Sequence, residues 1–290
     1  MWSSFCNQGQ KILNMRLLAF FLSVICASFT SLATASSTDS EETVSCTSLT
    51  ATGNSEYPPF LWRESGHNNK LLGANVIILE EIGRRTKLNI EVVHVGPWSR
   101  AQSEVKAGRV DLMAGAFYTN ERSEYMDYFS PTMLHTTSVV WQNVNQKFEY
   151  NKKEDLVGHW GVTVINNSFG QSFDAFAREN LNILSVASLS QAIKMLEAGR
   201  VDYALYEQNP GQAYATMMKV QDRITARQPA ISSEGLFLTI SKKSECNTFE
   251  IRQKIALALR NMKREGFNDK ALARGLANWA DKAEVATSEK

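Results

Sequence analysis

Ala107-Gly108-Arg109-Val110-Asp111 recurs as Ala198-Gly199-Arg200-Val201-Asp202, and Leu88-Asn89-Ile90 recurs as Leu181-Asn182-Ile183. The offsets are 91 and 93 residues, so two strand-helix-strand units of nearly equal length are related. Working outward from the first copy, Leu49 to Thr52 reads as a strand, and Val76, Leu79, Ile82 and Gly83 follow at helical spacing. Ile90, Val92 and Val95 read as a strand, Trp98 to Ala107 as a helix stopped by Gly108, and Val110 to Ala114 as a short buried strand. The alternation predicts an α/β fold, a largely parallel sheet flanked by helices, and the repeat predicts two such lobes. Ligands of open parallel sheets sit outside the carboxyl ends of the strands. Those ends are Gly115-Ala116-Phe117-Tyr118-Thr119 in the first lobe and Tyr206-Glu207-Gln208 in the second.

The 290 residues suffice for about two domains, and with 43% hydrophobic and 21% charged residues the chain can bury a sizeable core and is not a disordered polymer. Lys and Arg total 31 against 30 Asp and Glu, a balance without the basic stripe that nucleic-acid binding requires.

The first residues read as an export signal over 1–35. Lys11 and Arg16 precede the apolar run Leu17 to Ala27, and Ala33-Thr34-Ala35 offers a cleavage site after Ala35. The run is too short to span a bilayer, which takes about 20 residues. Translation could start at Met1 or at Met15. Cys26 follows Ile25, where a lipidation signal wants a small residue, so the product is expected to be exported, soluble and unanchored. Cys46 and Cys246 then remain, an even count in an oxidising space, and a structural disulfide between them is expected.

Thr119 can cap a helix over Asn120 to Met126, which puts Arg122 in its first turn. A cation there is opposed by the positive helix end and is better placed beside an anion. Paired with Glu121 or Glu124 it would be an ordinary surface arginine. Its place just beyond a strand end favours an anion clamp, for which the guanidinium fork is suited. Tyr57, beside Pro58-Pro59, Trp98, after Gly96-Pro97, and Phe117 stand at loop or strand ends, where rings can face a cleft. The four histidines show no metal-binding spacing, and the chain has no G-x-G-x-x-G, no phosphate-binding loop and no G-x-S-x-G. No metal, cofactor or catalytic residue is expected.

Tyr57-Pro58-Pro59-Phe60, Gly73 opening a helix, Pro97-Trp98, Ala107 to Asp111, Thr119-Asn120-Glu121-Arg122 and Phe129-Ser130-Pro131 form an ordered series over about Leu49 to Trp279. This series resembles the family 3 extracellular solute-binding proteins, the periplasmic receptors of polar amino-acid ABC importers. The resemblance implies the two-lobed periplasmic-binding-protein fold of type II, with two hinge strands near Thr136 to Gln142 and Gly235 to Ser241. Lobe 1 would comprise 43–138 and 239–282, lobe 2 would comprise 139–238, and 283–290 would be a disordered tail. Arg122 matches the family's carboxylate-binding arginine and Glu207 the acid that receives the ligand ammonium. Tyr57 and Trp98 match the rings that sandwich the ligand side chain. Asn54, Gly115 and Ser168 match positions lining the site, with Asn167 the alternative to Ser168.

Two positions and one loop depart from the family pattern. Phe117 stands where Ser or Thr is usual, Glu207 replaces Asp, and Asn166-Asn167-Ser168 replaces a Gly-Thr-Thr type loop. These point away from a standard proteinogenic ligand. The resemblance implies a monomer that delivers an amino-acid-like solute to a membrane ABC permease. A dehydratase-type enzyme on the same scaffold, with Glu207 as general acid, and a sensor presenting its ligand to a membrane receptor are the alternatives.

Overall fold

The repeated Asp closes a strand onto its neighbour in each half of the protein. In the computed structural model, which describes residues 46–63 and 70–288, strand β1 (Ser48–Thr52) leads through the short strands β2 (Glu56–Tyr57), β3 (Leu61–Arg63) and β4 (Leu71–Leu72) into helix α1 (Ala74–Thr86). Strand β5 (Asn89–Val92), helix α2 (Trp98–Ala107) and strand β6 (Leu112–Ala116) complete the first unit. Both β5 and β6 run parallel to the central β1. Gly108 caps α2 at φ 79°, a left-handed conformation that a side chain disfavours. Asp111 then accepts the backbone N–H of Thr50 at 2.8 Å, which ties β6 to β1.

Helix α3 (Asn120–Ser123), strand β7 (Met126–Tyr128) and the ten-residue strand β8 (Leu134–Asn143) lead into the second unit. There β9 (Trp160–Val164), α4 (Gln171–Asn180), β10 (Asn182–Val186), α5 (Leu189–Glu197) and β11 (Tyr203–Glu207) repeat the first arrangement, with β10 and β11 parallel to the central β9. Gly199 has φ 66°, and Asp202 accepts the N–H of Trp160 at 2.7 Å. The two sequence repeats therefore occupy equivalent joints for an identifiable physical reason: a left-handed glycine stops the helix, and the aspartate pins the next strand to the central one.

Helix α6 (Gln208–Met217), the 18-residue strand β12 (Ile224–Ser241), α7 (Phe249–Arg264) and α8 (Phe267–Ser288) finish the chain. The sheet order is β10-β9-β11-β8-β12-β6-β1-β5, with β7 beside β12. β8 pairs with β11 and with β12 up to Leu236, and β12 then pairs with β6 from Phe237 onward. Two strands thus join the halves. A continuous apolar core includes Leu49, Ile78, Leu79, Ile82, Leu112 and Met113, all almost fully buried.

Some boundaries differ from expectation. The strand at Ile90 ends at Val92, before the Gly96-Pro97 turn, and does not include Val95. β6 begins at Leu112, because Asp111 is engaged with Thr50, and runs through Gly115. α3 ends at Ser123, and Met126 already pairs with Ser241. α8 continues to Ser288 through most of the segment expected to be a disordered tail; its last turns carry Ala283, Glu284 and Ala286 and lack Pro and Gly, which lets the helix run on. The expected signal peptide, its cleavage site and both start positions lie outside the described residues. Among the described residues no helix is long and apolar enough to cross a membrane.

Candidate functional site

The carboxyl ends of β1, β6, β9 and β11 meet at one place. A small cavity of about 20 Å³ there is lined by Asn54, Tyr57, Trp98, Gly115, Phe117, Arg122, Asn167, Glu207 and Leu236. Seven of the eight residues expected from sequence are brought together. The eighth, Ser168, is not among them: its buried hydroxyl bonds the Asp174 carboxylate and accepts the Gly170 N–H at 3.2 Å, at the start of α4. Asn167 takes the lining position instead.

Arg122 is held by its surroundings more than by any opposite charge. Thr119 Oγ1 accepts the Arg122 N–H at 3.1 Å, fixing the short helix α3 by the expected cap. The guanidinium donates from Nε to Gln102 Oε1 at 3.2 Å, from Nη1 to the Phe117 carbonyl at 3.2 Å and from Nη2 to the Asn166 carbonyl at 2.9 Å. It also lies over the Trp98 ring, 5.3 Å from the centroid. Arg122 is 5% exposed, and among the described residues no carboxylate comes within ion-pair distance of it. A buried guanidinium that meets only neutral oxygens keeps its positive charge unmatched at contact distance.

Glu207, 1% exposed at the end of β11, is the complementary group. Burial pushes its carboxyl up to about 7, and the Arg122 charge, the Tyr57 hydroxyl and the Asn167 amide pull the other way without offsetting it. Glu207 Oε2 and Asn167 Nδ2 both lack a hydrogen-bond partner of good geometry. The two groups face each other, the Asn167 amide lying close enough to favour the Glu207 carboxylate.

The aromatic wall is built from Tyr57, Trp98 and Phe117, all buried. Burial and the nearby Glu207 raise the Tyr57 hydroxyl well above its ordinary value, so it remains a neutral donor. Gly115 lies at φ 97°, and a Cβ there would come within 2.7 Å of Asn75 Nδ2. That position therefore requires glycine on conformational and steric grounds alike. Asn54 Nδ2 donates to the Tyr206 hydroxyl at 2.9 Å, and Glu56 accepts the Leu189 N–H at 2.9 Å. Both bonds cross from the first half to the second.

The 20 Å³ space is far below the roughly 300–1,000 Å³ of small-molecule sites, but it is the waist of a longer cleft. A cavity of about 380 Å³ shares Asn54 and Trp98 with it, and another of about 560 Å³ shares Arg122 and Asn167. Gln102, Asn166, Tyr206 and Leu236 take part in the site without having been expected. Among the described residues no group of three or more His, Cys, Asp and Glu is placed to hold a metal.

Cys46 and Cys246 face each other with Cα atoms 5.5 Å apart, the separation of a disulfide.

Comparison with known proteins adds the following. The profile of bacterial extracellular solute-binding proteins, family 3, matches residues 49–274. No match was found among curated protein sequences. Among solved structures, a histidine kinase sensor domain with similarity to periplasmic binding proteins is similar at TM-score 0.67 and 18% identity, covering 79% of this chain and 96% of its own. An ancestral arginine-binding protein bound to arginine is similar at 0.66 and 20%, covering 79% and 97%. The amino acid ABC transporter substrate-binding protein AbpA from Streptococcus pneumoniae, bound to L-arginine, is similar at 0.65 and 16%, covering 80% and 96%. At these identities the likeness is one of fold, the two-lobed fold of periplasmic binding proteins.

Proposed function

Because the chain belongs to the bacterial extracellular solute-binding proteins of family 3, we propose that it captures a small amino-acid-like solute between its lobes and delivers it to an ABC permease in the membrane. The observation that carries this reading is the pairing of Arg122 and Glu207 on one cavity, both buried and neither engaged with an opposite charge at contact distance. A ligand carboxylate would meet Arg122 and a ligand ammonium Glu207, so a molecule bearing both would bridge the lobes and favour the closed state. The amino-acid-bound relative AbpA supports this by analogy of fold. Tyr57, Trp98 and Phe117 give the side-chain space an apolar wall, which favours an apolar, aromatic or modified side chain over a strongly charged one.

Lobe 1 would comprise 43–138 and 239–282 and lobe 2 would comprise 139–238, with β8 and β12 bending between them as hinges. The protein would act as a periplasmic monomer after cleavage behind Ala35, its two cysteines joined. The sensor-domain relative keeps a second reading in play, in which the closed form is presented to a membrane receptor. Native mass spectrometry of protein purified from the periplasm tests the ligand class directly: a co-purified compound with both an amine and a carboxylate is expected, and one lacking the amine would contradict the reading.

A further inference from the structure

Three side chains of the first lobe aim their N–H groups at one oxygen of the second. The Asn166 carbonyl accepts from Arg122 Nη2 at 2.9 Å, Trp98 Nε1 at 3.1 Å and Gln102 Nε2 at 3.2 Å. A peptide carbonyl offers two lone pairs, so three donors, one of them charged, exceed what it can match. A carboxylate oxygen, carrying charge and taking shorter bonds from cationic donors, matches them better. The donors are a built site: Trp98, Gln102 and Arg122 are each less than a tenth exposed. Gln102 Oε1 accepts from Arg122 Nε, which turns the amide so that its Nε2 faces the same oxygen. The acceptor is equally particular, because Asn166 holds φ 60°, a left-handed conformation in the loop after β9.

We propose that Trp98 Nε1, Gln102 Nε2 and Arg122 Nη2 form the seat for one carboxylate oxygen of the ligand, and that the Asn166 carbonyl holds this seat in the unliganded protein until the ligand displaces it. The proposal rests on the reading that the ligand carries a carboxylate, and it adds Gln102 and Asn166 to the residues that set recognition. The chain supplies its own stand-in for the ligand, which draws the lobes together before any solute arrives. Apparent affinity is then reduced by the fraction of molecules in which the seat is filled from within.

The two roles separate by substitution at Asn166. Asn166→Gly adopts φ 60° freely and keeps the carbonyl in place. Asn166→Val does not, because a β-branched residue is a conformational outlier there, so the peptide turns away while all three donors remain. Small-angle scattering of refolded, ligand-free protein should give the same compact radius of gyration for the wild type and Asn166→Gly. Asn166→Val and, independently, Gln102→Leu should give a larger one. Sodium acetate, a carboxylate without an amine, should then stabilise Asn166→Val against thermal unfolding at about tenfold lower concentration than it does the wild type, and adding Gln102→Leu should abolish that gain. Equal radii for Asn166→Val and wild type would overturn displacement, and equal acetate titrations would overturn the seat. A failure of the amino-acid reading itself would instead appear as indifference to the ligand amine, with both of these results intact.

Discussion

Asp111 accepts both the backbone N–H and the hydroxyl of Thr50, at 2.8 and 2.9 Å, and its other oxygen accepts the Ser244 hydroxyl at 2.6 Å. Its counterpart in the repeat, Asp202, accepts the Trp160 N–H near the surface. Asp111→Ala leaves three donors to re-pair in a half-buried joint and should destabilise the protein by roughly 2–4 kcal/mol. Asp202→Ala should cost at most about 1 kcal/mol, since water can replace the lost acceptor. Equilibrium urea unfolding of both variants checks the contrast; equal losses would mean that the two joints are loaded alike.

That pair of aspartates also shows why the fold was readable. A glycine that must be left-handed and an aspartate that must reach the neighbouring strand are local requirements, and they leave the same five letters in both halves. Arg122 was legible for a similar reason, because its cap residue Thr119 lies three positions earlier. Ser168 and Asn167 remain alternatives in the sequence because nothing periodic fixes the Asn166-Asn167-Ser168 turn; the left-handed Asn166 and the bond from Ser168 to Asp174 accompany a turn in which Asn167 lines the small cavity and Ser168 the larger one beside it. Gln102 lies within the predicted helix Trp98 to Ala107, and no motif marks it. Tyr206 stands at the strand end that the sequence marks, and Leu236 is a buried residue of β12. Their part in the site depends on tertiary contacts between distant elements, which single-residue patterns do not encode.

The Cys46–Cys246 pairing makes a second prediction. Closing a loop with a sequence separation of 200 can stabilise by about 5 kcal/mol in the chain-entropy model, less if native geometry is strained. Thiol titration of the mature protein, denatured without reductant, should find no free thiol. Two titratable thiols would show that the pair is not bonded.

The raised Glu207 carboxyl makes stability depend on pH with a definite sign. The group titrates near 7 in the folded protein against 4.5 as its ordinary value, so the folded state holds the proton more tightly. Its burial is tolerated best below about pH 4.5, and the folded state loses stability as pH rises from there through 7. The loss amounts to roughly 3 kcal/mol for this displacement. Glu207→Gln removes this term. The difference in unfolding free energy between the variant and the unliganded wild type should therefore grow in the variant's favour from pH 5 to pH 7.5. A difference that is flat over this range would contradict the assignment.

Titration calorimetry of the purified protein with an L-amino acid and with its deaminated analogue measures whether Arg122 and Glu207 together read a carboxylate and an amine. The ammonium can hydrogen-bond the buried Glu207 carboxylate, an interaction the analogue lacks and worth about 1.5–3 kcal/mol for a charged group, so the wild type should bind the amino acid roughly 10- to 100-fold more tightly than the analogue. Arg122→Ala should weaken the amino acid by roughly 2–5 kcal/mol, and Glu207→Gln should narrow the gap between the two ligands. If the deaminated analogue binds the wild type as tightly as the amino acid does, and Glu207→Gln binds it as well or better, the site recognises a plain acid and the two-charge account is contradicted.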